Sequence, residues 1–299
     1  MTAVLGLGTY RVRDVEQAAR TALATGAIWV DTAPNYANGR AHHDLVPALR
    51  DRPARVSTKT GFHTAHQAQA ALAAGVLDTA ASGAGHSLAP AFVRWQTDNS
   101  LAELGHTDIV FVHNPERAGQ HRPQIHTALR DTFVVLEELA HEGRIGGYGV
   151  ATWSGLEVGA FTVPDLVRIA QEAAGSVDHH LTGLQLPVSL VMAGPIAQAL
   201  DGRAGPLAQA GGEGITTFGS APLHGGELPG LMTPELVNLV RPGLTAATAA
   251  LLVAASCPGL DVVLLSASSK AHWQDALAAV DSPMDTDRLR SVIRAVAPR

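Results

Sequence analysis

Short apolar segments alternate with longer helix-forming segments along the 299-residue chain, and this alternation limits the folds open to it. Eight strands are predicted, at 4–8, 27–30, 55–58, 108–112, 144–150, 181–188, 214–218 and 261–265. Strands that alternate with helices form parallel sheets with right-handed crossovers. An open doubly wound sheet and a closed barrel both fit. The count of eight and the absence of any composition shift favour an α/β fold, a (β/α)8 TIM barrel built from residues 1–299 as one domain.

Helices are predicted at 14–25, 40–49, 88–104, 124–142, 164–174, 195–209, 244–256, 270–280 and 284–296. Segment 63–86 is rich in Ala and Gly and has weak periodicity, so we predict a mobile loop with no more than one helix, lying over the site. Segment 220–242 is predicted as a second long loop.

The composition narrows the class of protein. A hydrophobic content of 46% indicates a globular protein. A net charge of −6 without a basic block argues against a nucleic-acid partner. No apolar run reaches the roughly 18 residues of a membrane span, the N-terminus lacks the form of a signal peptide, and the single Cys257 rules out an internal disulfide. A cytoplasmic protein is expected, and its Ala-rich, Arg-over-Lys usage is typical of a GC-rich bacterial genome.

Polar side chains stand at the ends of three predicted strands. Asp31 ends the second strand, and Tyr36 follows it across a Pro-Asn turn. Lys59 follows the third strand and His113 the fourth. Since chemistry in a (β/α)8 barrel is carried by the C-terminal ends of the strands, we expect these four side chains to converge on one proton-transfer site.

Lysine is rare in this chain, which makes Lys59 informative. Only Lys59 and Lys270 occur among 21 basic residues. Arginine stays charged in proteins, whereas burial can tune the pKa of a lysine and let it share or lose a proton. A retained lysine next to a carboxylate and a phenol therefore suits acid catalysis. A Schiff-base role for Lys59 is also conceivable on a barrel, but the neighbouring Asp and Tyr fit it less well.

The motifs taken together resemble the aldo-keto reductase superfamily over nearly the full chain. In order they are Gly6-Leu7-Gly8-Thr9, Val30-Asp31-Thr32-Ala33-Pro34-Asn35-Tyr36, Ser57-Thr58-Lys59, Asp108-Ile109-Val110-Phe111-Val112-His113-Asn114-Pro115, Gly149-Val150-Ala151-Thr152-Trp153, Gln185 and Ala221-Pro222-Leu223-His224-Gly225-Gly226. Each is weak alone, but their shared order and spacing are specific to this family.

The resemblance implies a catalytic tetrad of Asp31, Tyr36, Lys59 and His113. Tyr36 would donate a proton to a carbonyl oxygen as hydride reaches the carbon. Lys59 would lower the pKa of Tyr36, Asp31 would keep Lys59 charged, and His113 would polarise the carbonyl. The structural alternatives are a plain buried ion pair for Asp31 and Lys59, loop packing for Tyr36, and a hydrogen-bonded strand-end histidine for His113.

The resemblance also implies NADPH as cofactor, with NADH possible. The expected cofactor-binding residues are Gly8, Thr9, Thr152, Gln185, Ser220, Leu223, Ser266, Ser268, Ser269, Lys270 and His272. Several positions depart from the family: Ala151-Thr152 replaces a Ser-Asn pair, Ser220 replaces the aromatic that stacks on the nicotinamide, and His272 and Ala276 replace an Arg and an Asn. Phe218 has the same strand parity as Ser220 but lies one step deeper.

Three functions stay open at this point. The leading one is NADPH-dependent reduction, or reverse oxidation, of a small or medium organic carbonyl. The departures favour a redox-inactive barrel that uses the tetrad for dehydration, isomerisation or cyclisation. A non-catalytic regulatory subunit fits the intact tetrad poorly. Phe62 and Trp153 are expected near the mouth, and no metal site is expected, since adjacent residues of His42-His43-Asp44 and Asp178-His179-His180 point apart.

Overall fold

Eight parallel strands close into a barrel in a computed structural model that describes residues 3–296. The strands are β1 Val4–Gly8, β2 Trp29–Asp31, β3 Arg55–Thr60, β4 Ile109–His113, β5 Tyr148–Ala151, β6 Leu181–Pro187, β7 Thr216–Ser220 and β8 Val262–Leu265. They pair in chain order, and β8 returns to pair with β1. This arrangement confirms the predicted (β/α)8 TIM barrel.

Helices connect the strands and cover the outside of the barrel. They are α1 Val15–Ala24, α2 Ala41–Asp51, α3 Ala65–Ala73, α4 Thr79–Ala84, α5 Pro90–Leu104, α6 Arg122–His141, α7 Val163–Ala174, α8 Gly194–Leu200, α9 Pro206–Gly212, α10 Leu228–Leu231, α11 Pro234–Val240, α12 Ala246–Ala255, α13 Lys270–Val280 and α14 Thr286–Val296. Short 3-10 turns lie at Tyr36–Gly39, Pro115–Arg117 and His224–Gly226. None of the helices in this described range has the length and apolar character to span a lipid bilayer.

The barrel interior is filled by large side chains, so the barrel has a solid floor beneath its mouth. The interior cluster consists of Trp29, Ile109, Phe111, Ala151, Phe218, Val262 and Leu264. The Phe111 ring fits in this interior because Gly149 and Gly183, on neighbouring strands, have no side chains. A Cβ on Gly149 would lie 2.7 Å from the Phe111 ring, and one on Gly183 would lie 2.8 Å from it. These strands therefore carry glycine where a larger side chain would overlap the ring.

Segment 63–86 is not the mobile loop that was predicted. It forms α3 and α4, and an isolated bridge joins Phe62 to His86. The helices begin at capping residues, because Thr64 and Gln67 form a reciprocal capping box and Asp78 accepts from Ala81 N–H. Such caps contribute about 1 kcal/mol each, which offsets the weak apolar periodicity that made the segment look irregular.

Two other predictions of irregular or continuous structure were wrong in detail. The predicted helix 195–209 is two helices, α8 and α9, because Gly202 and Gly205 separate them. The predicted loop 220–242 contains α10 and α11, and Thr233 caps the second. The predicted strand 181–188 is confirmed as β6, which ends one residue earlier, at Pro187. A proline is tolerated at a strand end because no ladder hydrogen bond is lost there.

The strand ends set the positions of the polar side chains. β2 ends on Asp31 and β4 ends on His113. β3 continues two residues beyond its predicted end, so Lys59 lies within the strand rather than after it. The Lys59 side chain therefore has the fixed direction of a strand residue and points toward Asp31.

Candidate active site

Asp31 is the centre of a buried hydrogen-bond network at the C-terminal mouth of the barrel. Its Oδ2 accepts from Lys59 Nζ at 2.5 Å, and its Oδ1 accepts from Ser57 Oγ at 2.8 Å and from Gln185 Nε2 at 3.0 Å. The residue is only 3% exposed. Three donors on one carboxylate satisfy most of its acceptor sites and stabilise the anion without help from solvent.

Lys59 is a buried ammonium with two partners. Besides Asp31, it donates to the main-chain oxygen of Thr32 at 3.0 Å. Burial lowers the pKa of Lys59, and the charge and hydrogen bond of Asp31 oppose that change. The two charges are therefore held in a short contact at a buried site, where water could not solvate either of them if the pair separated.

Tyr36 lies next to this pair but is not bonded to it. Its ring centroid is 5.1 Å from Lys59 Nζ, 5.1 Å from the centroid of the Tyr10 ring and 6.1 Å from that of His113. Within residues 3–296, no side chain or main-chain group forms a hydrogen bond with the Tyr36 hydroxyl. The phenol is therefore available to a ligand.

The predicted lowering of the Tyr36 pKa by Lys59 is wrong for this structure. Burial, then the charge of Asp31 and then Tyr10, raise the pKa of Tyr36 well above its ordinary value. Burial is the largest of these causes, and it outweighs any stabilisation of the phenolate by Lys59, whose ammonium pairs with Asp31 at 2.5 Å. Tyr36 is consequently a neutral hydroxyl, the form a proton donor requires.

His113 is neutral as well. Burial, followed by the charges of Lys59 and His86, brings the pKa of His113 well below its ordinary range. Its ring lies edge-on to that of Phe62, with centroids 4.8 Å apart. Its Nδ1 is buried and has no partner among the described residues. A neutral imidazole in this position can donate one N–H to a ligand, and it adds no second positive charge beside Lys59.

A second histidine braces the end of β4. His86 Nε2 lies 2.8 Å from the main-chain oxygen of His113, to which it donates. Gly61, at φ 127°, lets the two elements approach, because a Cβ there would lie 2.9 Å from His86 Nε2. His86 and Phe62 thus hold the strand end on which His113 stands.

The predicted cofactor residues at the ends of β5, β6 and β7 have mixed placements. Gln185 points into the mouth, and its side-chain amide donates a hydrogen bond to Asp31. Thr152 is buried, and its hydroxyl donates to Glu116 Oε1 at 3.0 Å and accepts from Gly155 N–H at 2.8 Å. Ser220 ends β7 as a half-buried residue.

Phe218 cannot replace the missing aromatic at Ser220. It is fully buried in the barrel floor, with its ring 4.9 Å from that of Trp29 and 5.4 Å from that of Phe111. The position above it is left to the small Ser220. Leu223, further along, packs half-buried against the hydrophobic core.

The predicted residues near β1 and β8 form a contiguous polar edge. Ser266 Oγ donates to the Gly8 carbonyl at 2.7 Å, and Thr9 Oγ1 donates to the Asp31 carbonyl at 3.1 Å. Ser269 caps α13 by accepting from His272 N–H at 3.1 Å. Ser268, Lys270 and His272 are exposed beside this helix start. A helix N-terminus flanked by hydroxyls and a lysine is suited to phosphate groups.

Four residues at the mouth were missed by sequence reasoning. They are Tyr10, Arg11, Glu116 and His224. The Tyr10 ring lies against that of Tyr36, and the ring centroid of His224 is 6.4 Å from that of Trp153. Arg11 has φ 59° and approaches the loop after β7, where a Cβ on Gly225 would lie 2.9 Å from its Nη1. Glu116 Oε1 accepts from Thr152, Trp153 and Ser154, all at 3.0 Å. The available signal was their position two to four residues after the end of a strand.

Two clefts flank the mouth. One, of about 520 Å³, begins at Thr152, Trp153 and Pro187 and runs outward to α8 and α9. The other, of about 560 Å³, lies between His86 and Arg117. The described residues contain no cluster of three or more His, Cys, Asp or Glu that could hold a metal ion. Within the two His-rich triplets of the sequence, His42 contacts Thr58 at 2.9 Å, and His180 contacts Glu137 at 2.7 Å.

Comparison with known proteins identifies the family. A model of the aldo/keto reductase family matches residues 3–159, just over half of the chain. No curated protein sequence matches. The chain belongs to the aldo/keto reductase family, which confirms the resemblance seen in its motifs.

Solved structures share the fold over almost the whole chain. An aldo-keto reductase from Klebsiella pneumoniae in complex with NADPH is 19% identical, with 99% of this chain and 92% of that one covered and a TM-score of 0.66. The holo form of an aldo-keto reductase from Bacillus halodurans is 18% identical (99% and 93% covered, TM-score 0.71). A glycerol dehydrogenase from Gluconobacter oxydans is 17% identical (98% and 90% covered, TM-score 0.70).

Proposed function

We propose that this protein is an NADPH-dependent oxidoreductase that reduces a small or medium organic carbonyl, or oxidises the corresponding alcohol. The observation that carries the proposal is the cluster of Asp31, Lys59, Tyr36 and His113 in one buried corner of the barrel mouth. Family membership and the likeness to reductases that bind NADPH or NADP support it.

The cluster provides a proton donor aimed into the mouth. Tyr36 is neutral and carries a hydroxyl free of protein partners, so it can protonate a carbonyl oxygen that enters the site. As the phenol loses its proton, the nearby Lys59 ammonium stabilises the developing phenolate. Asp31 keeps Lys59 in place.

His113 orients the substrate. Because its ring is neutral and lies edge-on to Tyr36, it can donate an N–H to the same carbonyl oxygen that Tyr36 approaches. Two donors on one oxygen polarise the carbonyl and fix its direction. Phe62 and Tyr10 add aromatic walls on either side, which suits an organic rather than a strongly anionic substrate.

The residues present fit a bound dinucleotide. NADPH, when bound, supplies the hydride. Gln185 at the mouth can meet its carboxamide, and the small Ser220 leaves space above the barrel floor. The N-terminus of α13 with Ser268 and Lys270 can hold a phosphate, and Arg11 offers a guanidinium that pairs with no carboxylate of residues 3–296.

A fluorescence titration of NADPH with the purified protein tests the proposal. We expect saturable binding in the micromolar range, and a Tyr36→Phe variant that binds NADPH equally well but loses turnover on carbonyl substrates by about 10²–10⁴-fold. Absence of binding at high micromolar NADPH would refute the reductase function. Unchanged turnover of Tyr36→Phe would refute the proton donor alone.

One set of contacts favours a second candidate, a barrel that performs acid/base chemistry without a cofactor. The Thr152 hydroxyl already forms hydrogen bonds with Glu116 and Gly155, so it is not free for a nicotinamide, and the aromatic residue expected at position 220 is replaced by Ser220. Such a protein would use Tyr36 and Lys59 for dehydration, isomerisation or cyclisation. It would fail to bind NADPH, and Tyr36→Phe would still abolish its activity.

A further inference from the structure

The hydrogen bond between Gln185 and Asp31 crosses the full width of the barrel. In the closed ring, β2 and β6 are separated by three strands on either side, so they face each other. Side chains from alternate strands share a layer in such a barrel. Gln185 Nε2 reaches Asp31 Oδ1 at 3.0 Å, and both residues are at least 95% buried. This bond links the wall that would hold a cofactor to the acid/base corner.

The bond fixes the direction of the Gln185 amide. A carboxylate oxygen only accepts, so the NH₂ group of Gln185 has to face Asp31, and the Oε1 atom of the same planar amide has to face away from it. No donor among residues 3–296 reaches that Oε1. A flip of the Gln185 amide is unfavourable, because it would place Gln185 Oε1 against Asp31 Oδ1, two acceptor oxygens, in a buried site.

We infer that Asp31 orients Gln185 so that its Oε1 faces the mouth as a hydrogen-bond acceptor for the amide N–H of a bound nicotinamide, which makes Asp31 a positioning residue for cofactor binding as well as the partner of Lys59. This rests on the proposed function. A single carboxylate then serves both halves of the site: Oδ2 holds the lysine, and Oδ1 holds the amide that meets the cofactor.

Ser57 strengthens this division of the carboxylate. Its hydroxyl donates to the same Oδ1 at 2.8 Å and is fully buried. Ser57 is also the register partner of Asp31 across β2 and β3. Ser57 and Lys59 therefore hold the Asp31 carboxylate in place. Gln185 meets an acceptor whose position does not depend on the Gln185 rotamer.

A double-mutant cycle on NADPH affinity tests the inference. Gln185→Leu should weaken NADPH binding about tenfold, which corresponds to one hydrogen bond of about 1.4 kcal/mol. In an Asp31→Asn background the amide can adopt either direction, so Gln185→Leu should cost less than about threefold. Gln171→Leu, on the outer helix α7, is the matched control and should leave affinity unchanged.

Asp31→Asn leaves a buried ammonium without its carboxylate, so the cycle is repeated with Asp31→Asn/Lys59→Met, which has no charge in this corner. An equal cost of Gln185→Leu in all backgrounds would show that Asp31 does not position the amide, and would overturn the inference while NADPH binding stands.

A measurement without cofactor separates the two proposals. The side-chain NH₂ signal of Gln185 in nitrogen-15 NMR, assigned from its loss in Gln185→Leu, should move upon Asp31→Asn. A signal that ignores Asp31→Asn overturns the inference. If the signal responds but the protein binds no NADPH, the proposed function fails, and the acceptor role of Oε1 fails with it.

Discussion

Lys59 Nζ lies 5.1 Å from the centroid of the Tyr36 ring, yet it gives its hydrogen bonds to Asp31 and to the carbonyl of Thr32. The ion pair is therefore preassembled beside a phenol that it does not touch. In the resting protein the pKa of Tyr36 is raised by burial and by Asp31, so the phenol keeps its proton until a ligand enters.

Removing the lysine should destabilise the protein as well as inactivate it. Lys59→Met leaves the Asp31 carboxylate buried with one fewer partner, and breaking a buried pair in this way costs about 3–5 kcal/mol. Urea denaturation measures the change in the free energy of unfolding. Asp31→Asn/Lys59→Met removes both charges and should recover at least half of the loss. A change below about 1 kcal/mol in Lys59→Met would mean that the pair does not stabilise the fold.

Stability should fall in mild acid because His113 is buried as a neutral ring. Its pKa in the folded protein is well below the ordinary value of about 6.5, so the unfolded chain binds more protons between the two values. The stabilising contribution is therefore present above about pH 6.5 and is lost as the pH falls below it. His86, whose pKa is also lowered by burial, acts in the same direction.

Unfolding measurements at pH 7 and pH 5 test this dependence. If the folded ring stays neutral, His113 contributes up to roughly 2 kcal/mol of the loss over this range. His113→Asn should remove that share, whereas His43→Asn, on an exposed side chain of α2, should not. Equal losses in wild type and His113→Asn would show that His113 can be protonated in the folded protein.

The sequence was a good guide to the order of the elements and to the bounds of the most amphipathic helices, since α7 was predicted within one residue and α14 within two. The bounds of β1 and α13 were predicted to the residue, and all eight strands were found in their order. Segment 63–86 failed because its alanines carry little periodic signal, and its helices are defined by their caps at Thr64 and Asp78. Strand ends likewise predicted that Asp31, Lys59 and His113 lie in one corner.

Contacts across the barrel were out of reach of the sequence. Whether Gln185 meets Asp31 depends on strand register and on closure of the ring, neither of which is encoded in local pattern. The same holds for Glu116, which accepts from three consecutive residues of a neighbouring loop. The direction of the Tyr36 pKa shift was misjudged for a related reason, because it depends chiefly on how deeply the fold buries the phenol.

An aromatic residue at the end of β7 should improve cofactor binding. Ser220 lies at the strand end above Phe218, which is locked in the barrel floor. Ser220→Tyr would supply a ring at the mouth, and aromatic stacking contributes about 0.5–1.5 kcal/mol, so NADPH should bind roughly 2–10-fold more tightly. Ser220→Leu controls for added bulk. Equal affinities in Ser220→Tyr and Ser220→Leu would mean that no ring stacks at this position.

Two cations should divide the recognition of the dinucleotide between them. Arg11 lies against the loop after β7 and pairs with no carboxylate of the described residues, so we expect it to bind the phosphates shared by NADH and NADPH. Lys270 starts α13, and we expect it to bind the 2′-phosphate that only NADPH carries. Arg11→Asn, which tolerates the positive φ of this position, should weaken both cofactors roughly tenfold or more. Lys270→Gln should weaken NADPH and leave NADH unchanged.

Titrations of all variants with both cofactors, at low and high salt, distinguish these roles. The loss in Arg11→Asn should shrink as salt rises, because screening already weakens the wild-type contact. Arg50→Asn, on the far end of α2, controls for the loss of a surface charge. A loss confined to NADPH in Arg11→Asn would place the 2′-phosphate at β1 instead of α13. Equal losses of NADH and NADPH in Lys270→Gln would place the shared phosphates at the start of α13.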